Sequence, residues 1–132
     1  AETCGGNSVI EHNGDLYPCD HFVYQKYRLG NISEKSIREM MSSAEQIRFG
    51  IDKRNGLPGK CLNCKYLCLC HGECPKHRFN RTDTGETGLC ALCEGYQMFY
   101  RHTEPYMLKM KEFLEAKTSP AIVMPWARQG LK

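Results

Sequence analysis

The stretch Cys61-Leu-Asn-Cys64-Lys-Tyr-Leu-Cys68-Leu-Cys70-His-Gly-Glu-Cys74 places five cysteines in one short segment. Neighbours separated by two or three residues pair as disulfides only in tight, strained loops. Cys61-x2-Cys64 is instead a ligand pair by geometry, because two intervening residues let both thiolates point at one ion or cluster. Cys70-x3-Cys74 repeats that logic from the same loop. Crowded thiolates need a strong cation to neutralise them, and structural metal binding contributes roughly 10–16 kcal/mol of folding free energy. The surrounding Gly-rich stretch has little else to fix it. Loops held by metal are therefore expected from Cys61 to about Gly88.

Cys4, Cys19, Cys90 and Cys93 bring the total to nine. An odd number leaves one cysteine over in any all-disulfide scheme, which argues against a secreted disulfide scaffold. Thiolate ligands in a reducing cytoplasm fit better. Spacing alone leaves the metal open. Zinc ribbons commonly carry two Cys-x2-Cys knuckles about 15–20 residues apart, and Cys90-x2-Cys93 lies beyond that window from Cys64. A spread of x2, x5 and x3 suits a cuboidal iron–sulfur cluster at least as well. His71 and His77 read as loop or surface residues, with replacement of a thiolate in a zinc site as the alternative. Lys76, Arg78 and Arg81 read as a solvated basic face.

Outside the cysteine segment, ordinary punctuation returns. Asn13-Gly14 between Ser8-Val-Ile-Glu and Leu16-Tyr17 is a strong hairpin signal. With those two as the turn, Ser8 stands opposite Cys19, and the hairpin folds Cys19 back towards Cys4. Ser33 is expected to cap a first helix carrying Ile37, Met40 and Met41. Ser42-Ser-Ala-Glu45 resembles a capping box for a second, stopped at Asn55-Gly56. Helix is expected again from Leu89 to His102, and Thr103-Glu104-Pro105 reads as a fresh start with Pro at the first position. Met107, Met110, Phe113 and Leu114 then form a stripe read as core packing. The tail 118–132, with Pro120 and Pro125, shows no period and reads as loop.

Composition excludes several classes. At 132 residues with an apolar fraction of 41%, the chain fits one small domain that draws help from cross-links or metal. Its net charge of +3 is too mild to make nucleic acid the default partner. No apolar run approaches the roughly 18 residues needed to span a bilayer. No signal peptide is visible, and a start at Ala1 without Met reads as a fragment or processed chain.

Taken together, Cys4-x9-Gly14-x4-Cys19, Cys61-x2-Cys64-x5-Cys70-x3-Cys74 and Cys93 resemble the seven-cysteine signature of SPASM domains, C-terminal extensions of radical S-adenosylmethionine enzymes. The wording CGGNSVIEHNGDLYPCDHF, RLGNI, CHGECPKHRF and CEGYQMFYRH is similar to the anaerobic sulfatase-maturating enzymes in particular. The resemblance runs from Cys4 to about His102, and the elements read above predict a small α+β domain (residues 1–117, then a tail) with an N-terminal β-hairpin, a cysteine-rich loop region and several helices. The resemblance implies two four-iron four-sulfur clusters: one on Cys61, Cys64, Cys70 and Cys93, the other on Cys4, Cys19 and Cys74. The fourth ligand of the latter is expected upstream of Ala1. The enzymes it resembles oxidise a Cys or Ser of a sulfatase to formylglycine, with S-adenosylmethionine bound by a core domain of the same chain. Their motif Cys-x3-Cys-x2-Cys does not occur here, so the fragment alone is expected to be inactive.

Three residues stay with two readings. Asp20 is implied by the resemblance as a base for the substrate proton, whereas the residues alone suggest a carboxylate accepting backbone N–H bonds at the hairpin exit. Cys68 and Cys90 fall outside the signature and read as buried small apolar residues, Cys90 also competing with Cys93 as a ligand. A structural zinc module or a protein-interaction module is the rival to the whole reading.

Overall fold

Val9 and Ile10 reach back to Tyr17 and Leu16 across a tight turn in the computed structural model, which describes residues 1–130. Strands β1 (Val9–Ile10) and β2 (Asp15–Tyr17) pair antiparallel. The Gly14 N–H donates to the Glu11 carbonyl at 2.8 Å, and Glu11 N–H donates to Asp15 at 2.9 Å. Gly14 stands at φ +87°, the left-handed region glycine enters without penalty. The connection is thus a three-residue loop closed by a left-handed glycine, not a two-residue turn. The register accordingly slips by one from the expected Ser8–Cys19 pairing. Strand β3 (Gly30–Asn31) covers the other edge of β2, with Leu16 opposite Gly30 and Asp15 opposite Asn31. Leu16, at the centre of this sheet, is fully buried.

Helix α1 (Ile37–Met41) opens on Ser36, three residues later than expected. Glu39 N–H donates to Ser36 Oγ at 3.2 Å, and the Ser36 N–H donates back to Glu39 Oε2 at 2.9 Å. That reciprocal pair outcompetes Ser33, whose N–H and hydroxyl are taken by the Asn31 side chain. Helix α2 (Ala44–Asn55) is capped by Ser43 through Gln46 N–H at 3.2 Å, one residue along from the expected box, and ends before Gly56 as expected. Met40 is buried, while Ile37 is exposed and Met41 half-buried.

The cysteine segment is more regular than the expected loops. It contains the short helices α3 (Gly59–Leu62) and α4 (Leu67–Cys70), then a 3-10 turn at Pro75–His77. A two-stranded hairpin of β4 (Asn80–Arg81) and β5 (Thr87–Leu89) follows. Each piece is one turn or two, too short to show a periodicity in sequence. These elements belong to a first unit, Ala1–Ala91.

A second unit begins at Leu92. Its helix α5 (Cys93–Glu115) starts four residues later than expected and runs unbroken through Pro105. Proline removes one helical hydrogen bond at that point, and the Thr103 hydroxyl adds a local one to the Phe99 carbonyl at 3.0 Å. Met107 and Leu114 are exposed and Met110 and Phe113 half-buried, so the stripe is not a buried core. The tail is not loop throughout: Pro120–Ile122 forms a 3-10 turn capped by Ser119, and α6 (Val123–Arg128) continues from it. Val123 is buried and Trp126 meets Tyr106 edge-on at 6.0 Å, contacts that the two prolines conceal in the sequence. Among the described residues no helix is long and apolar enough to cross a membrane.

Candidate metal centre

Cys4, Cys19 and Cys74 come from three distant segments and are brought within electrostatic reach of one another through Cys74. Helix α2 positions the first. The Cys4 N–H donates to the Gly50 carbonyl at 3.1 Å, and a Cβ on Gly50 would lie 2.7 Å from the Cys4 carbonyl oxygen. Only glycine lets the Cys4 segment lie this close to the helix. The hairpin positions the second: after β2, Cys19 is the extended residue that opens a 3-10 turn, Asp20–Phe22. The left-handed exit of α4 positions the third. Burial pushes the Cys4 and Cys19 thiols up, and the neighbouring Cys74 sulfur acts in the same direction on both. Convergent thiols whose ionised forms repel are what a bound cation relieves.

Asp20 accepts from the Cys19 thiol at 3.2 Å and from the His21 N–H at 3.0 Å. The Cys19 bond comes first among the causes that hold its carboxyl below the usual range. Its side chain is exposed and accepts the His21 N–H at the hairpin exit, the contact expected from the residues alone. His21 was not singled out in the sequence. Its Nδ1 lies 3.4 Å from Cys74 Sγ, joining hairpin and cysteine segment. Ligand atoms of Cys19, Asp20 and His21 lie within 4.8 Å of one another. Proximity to Cys19 in the chain was the available signal; the approach to Cys74 had none.

Cys61, Cys64 and Cys70 occupy successive short turns. Cys61 lies in α3 and is buried, Cys64 follows through an N–H bond to the Cys61 carbonyl at 3.1 Å, and Cys70 ends α4. His71, Gly72 and Glu73 then stand at φ 49°, 69° and 60°, one left-handed turn between Cys70 and Cys74. For His71 and Glu73 such backbone costs about 1–2 kcal/mol each, so other contacts must hold it. Arg78 supplies them. Its guanidinium donates to the carbonyls of His71 (3.1 Å), Gly72 (2.8 Å) and Glu73 (3.0 Å), and to Lys53 at the end of α2 (2.6 Å). Arg78 is therefore half-buried and bonded, not part of a solvated face. Lys76 and Arg81 are exposed as expected, Lys76 reaching the Tyr24 hydroxyl and Arg81 the Gly85 carbonyl.

Cys93 opens α5 in the second unit, and Gln97 Nε2 donates to its sulfur at 3.8 Å. Cys90 is buried as expected, but Cys68 is exposed, its sulfur 3.9 Å from the Lys65 carbonyl on a face of α4 turned to solvent. His77 Nδ1 pairs with Glu73 at 2.7 Å, and His71 is a left-handed backbone residue.

Cys4, Cys19, Cys64, Cys68, Cys70 and Cys74 are thiols. Soft sulfur donors on short turns suit iron–sulfur or zinc centres and not hard cations, so the residues present fit a cluster.

Comparison with known proteins gives the same answer. Residues 4–65 match the SPASM family, described as an iron–sulfur cluster-binding domain. The chain is 47% identical over 98% of its length to a serine-type anaerobic sulfatase-maturating enzyme of Bacteroides thetaiotaomicron, and 31% identical over 82% to a cysteine-type enzyme of Clostridium perfringens. It spans 31% and 29% of those proteins, under a third of their length. Among solved structures, native anSMEcpe with bound AdoMet and Cp18Cys peptide matches 86% of the chain at a TM-score of 0.71 and 28% identity. The same enzyme with bound AdoMet and Kp18Cys peptide matches 81% at 0.68 and 30% identity. Residues 4–65 belong to the SPASM family of iron–sulfur cluster-binding domains, within a chain that is similar along nearly its whole length to part of the anaerobic sulfatase-maturating enzymes.

Proposed function

We propose that residues 1–117, followed by a tail at 118–132, form the auxiliary-cluster domain of a radical S-adenosylmethionine enzyme that oxidises a Cys or Ser of a sulfatase to formylglycine. The observation that carries this reading is the approach of the hairpin exit to Cys74, with His21 Nδ1 3.4 Å from its sulfur and Cys4 and Cys19 within its electrostatic reach, while Cys70, one left-handed turn away, follows Cys61 and Cys64 in the run of short turns. Two interleaved thiolate sets call for two centres. Cys4, Cys19 and Cys74 would hold one four-iron four-sulfur cluster with a ligand from elsewhere in the longer protein. Cys61, Cys64, Cys70 and, on the family pattern, Cys93 would hold the other. Clusters of this kind supply one-electron redox chemistry when bound. Thiolate ligation of this kind favours a reducing, cytoplasmic setting.

Taking a Cys or Ser side chain to the aldehyde level removes a hydrogen atom, a proton and an electron. A core domain of the same protein, carrying S-adenosylmethionine, is the source of the hydrogen-abstracting radical. The chain's own part is to present substrate-facing surface and a proton acceptor. Asp20 is that acceptor in this reading: an exposed carboxylate next to Cys19 in the chain, held by the His21 N–H.

Iron and acid-labile sulfide are measured on the full-length protein, purified without oxygen and reconstituted. About four of each per auxiliary cluster are expected beyond those of the core, and Cys70→Ala and Cys74→Ala should each remove one cluster's worth. Tight zinc without sulfide would instead identify a structural module. Asp20→Asn should retain all the iron and lose sulfatase maturation; normal maturation by that variant removes the base assignment.

A further inference from the structure

We propose that Arg78 is a positioning residue shared by both cysteine sets: its guanidinium shapes the left-handed turn that sends Cys70 and Cys74 to different centres, and sets one fixed positive charge beside both. This inference rests on the two-centre reading above.

The geometry carries it. Three successive carbonyls, from His71, Gly72 and Glu73, converge on the one side chain at 2.8 to 3.1 Å, and a fourth bond ties the turn to the Lys53 carbonyl. Four of the five guanidinium N–H groups are thereby used, in the planar fork that lysine lacks. Helix α2 ends at Lys53 to Asn55 and also holds Cys4 through Gly50, so Arg78 joins the supports of Cys4, Cys70 and Cys74 in one frame. A side chain on Gly72 would meet Arg78 Nη2 at 2.8 Å and crowd Leu57, which shows how closely the turn wraps the guanidinium.

The charge has its own consequence. The Cys61, Cys4, Cys70 and Cys74 sulfurs all act electrostatically on Arg78, two from each proposed set. Four of its N–H groups are bound to carbonyls within a half-buried site, so the charge is less screened by water than at the surface. Reducing a thiolate-ligated centre adds negative charge next to it. A fixed cation favours the reduced form, and its loss lowers the reduction potential of each centre.

Arg78→Gln and Arg78→Lys in the full-length, anaerobically reconstituted protein separate the two roles. Iron and sulfide are counted, and midpoint potentials are read by EPR-monitored titration. Arg78→Gln should shift the potentials of both auxiliary centres downward. Arg78→Lys keeps a charge without the fork, so its potentials should stay near the wild type while iron is retained less well. Wild-type potentials in the Gln variant overturn the charge role, and wild-type iron retention in the Lys variant overturns the positioning role. Zinc without sulfide in the unmutated protein overturns the two-centre reading and, with it, the charge role. Full iron in the unmutated protein with both variants matching it overturns this inference alone.

Discussion

Leu16 is fully buried at the centre of the three-stranded sheet, and Asp15 beside it accepts from Asn31 and Asn13 at 3.0 Å each and pairs with Arg28 at 2.7 Å. Cys70 and Cys74, by contrast, bracket three left-handed residues held through their carbonyls by a single side chain. The sheet is self-supporting: each strand is paired, one side chain fills the centre, and local polar groups satisfy one another. The cysteine segment instead strings its cysteines along short turns and accepts an unfavourable backbone between Cys70 and Cys74. A region that organises itself and a region organised for a ligand can therefore share one small unit. The sheet fixes where Cys19 lies, and the ligand site draws on that rigidity.

Removing the centre of the sheet tests this division most severely. Leu16→Ala should cost about 2–5 kcal/mol, the range for emptying a fully buried leucine site. Denaturant unfolding measures the loss, and amide exchange locates it. Exchange is expected to quicken first at β1, β2 and β3 in the cluster-loaded protein, with the His71 and Glu73 amides still protected by their bonds to the Leu67 and Cys70 carbonyls in the turn that Arg78 holds. Equal loss of protection at both places would mean that the sheet and cysteine segment open as one, and the contrast would fail.

The two regions also differ in how far their sequences could be read. Asn13-Gly14 announced a hairpin, but not whether glycine would be the second residue of a two-residue loop or the last of a three-residue one; that choice moved the register by one. Serine runs announced caps, and the caps formed one or three residues along, Ser36 in a reciprocal pair with Glu39 and Ser43 accepting the Gln46 N–H. Pro105 suggested a new helix start, yet α5 absorbs it. In the cysteine segment, spacing made metal ligation legible and left its division into sets silent. Nothing in the residue types His71 and Glu73 signals left-handed backbone, because neither favours it; the cause is Arg78, further along the chain. Grouping Cys74 with Cys4 and Cys19 came from the family resemblance. Long-range placement of this kind has no local sequence signature.

A smaller effect sharpens the same contrast through pH. The Asn31 side chain, with Arg28 and Asn13, holds the Asp15 carboxyl below its ordinary value in the folded protein. A group depressed on folding contributes stability that is fully present above its unfolded pKa, roughly 3.9, and is lost as pH falls through the lower folded value. Asp15→Asn cannot ionise and leaves Arg28 without its 2.7 Å partner. At neutral pH the variant should be less stable than the wild type, by less than Leu16→Ala, and the gap should narrow as the pH drops below the ordinary carboxylate range. Paired urea titrations across that range read the difference directly and cancel the other carboxylates, which titrate alike in both proteins. A gap that stays constant to low pH would show that Asp15 acts by shape alone, and that the sheet is held by packing without the polar clamp across β2 and β3.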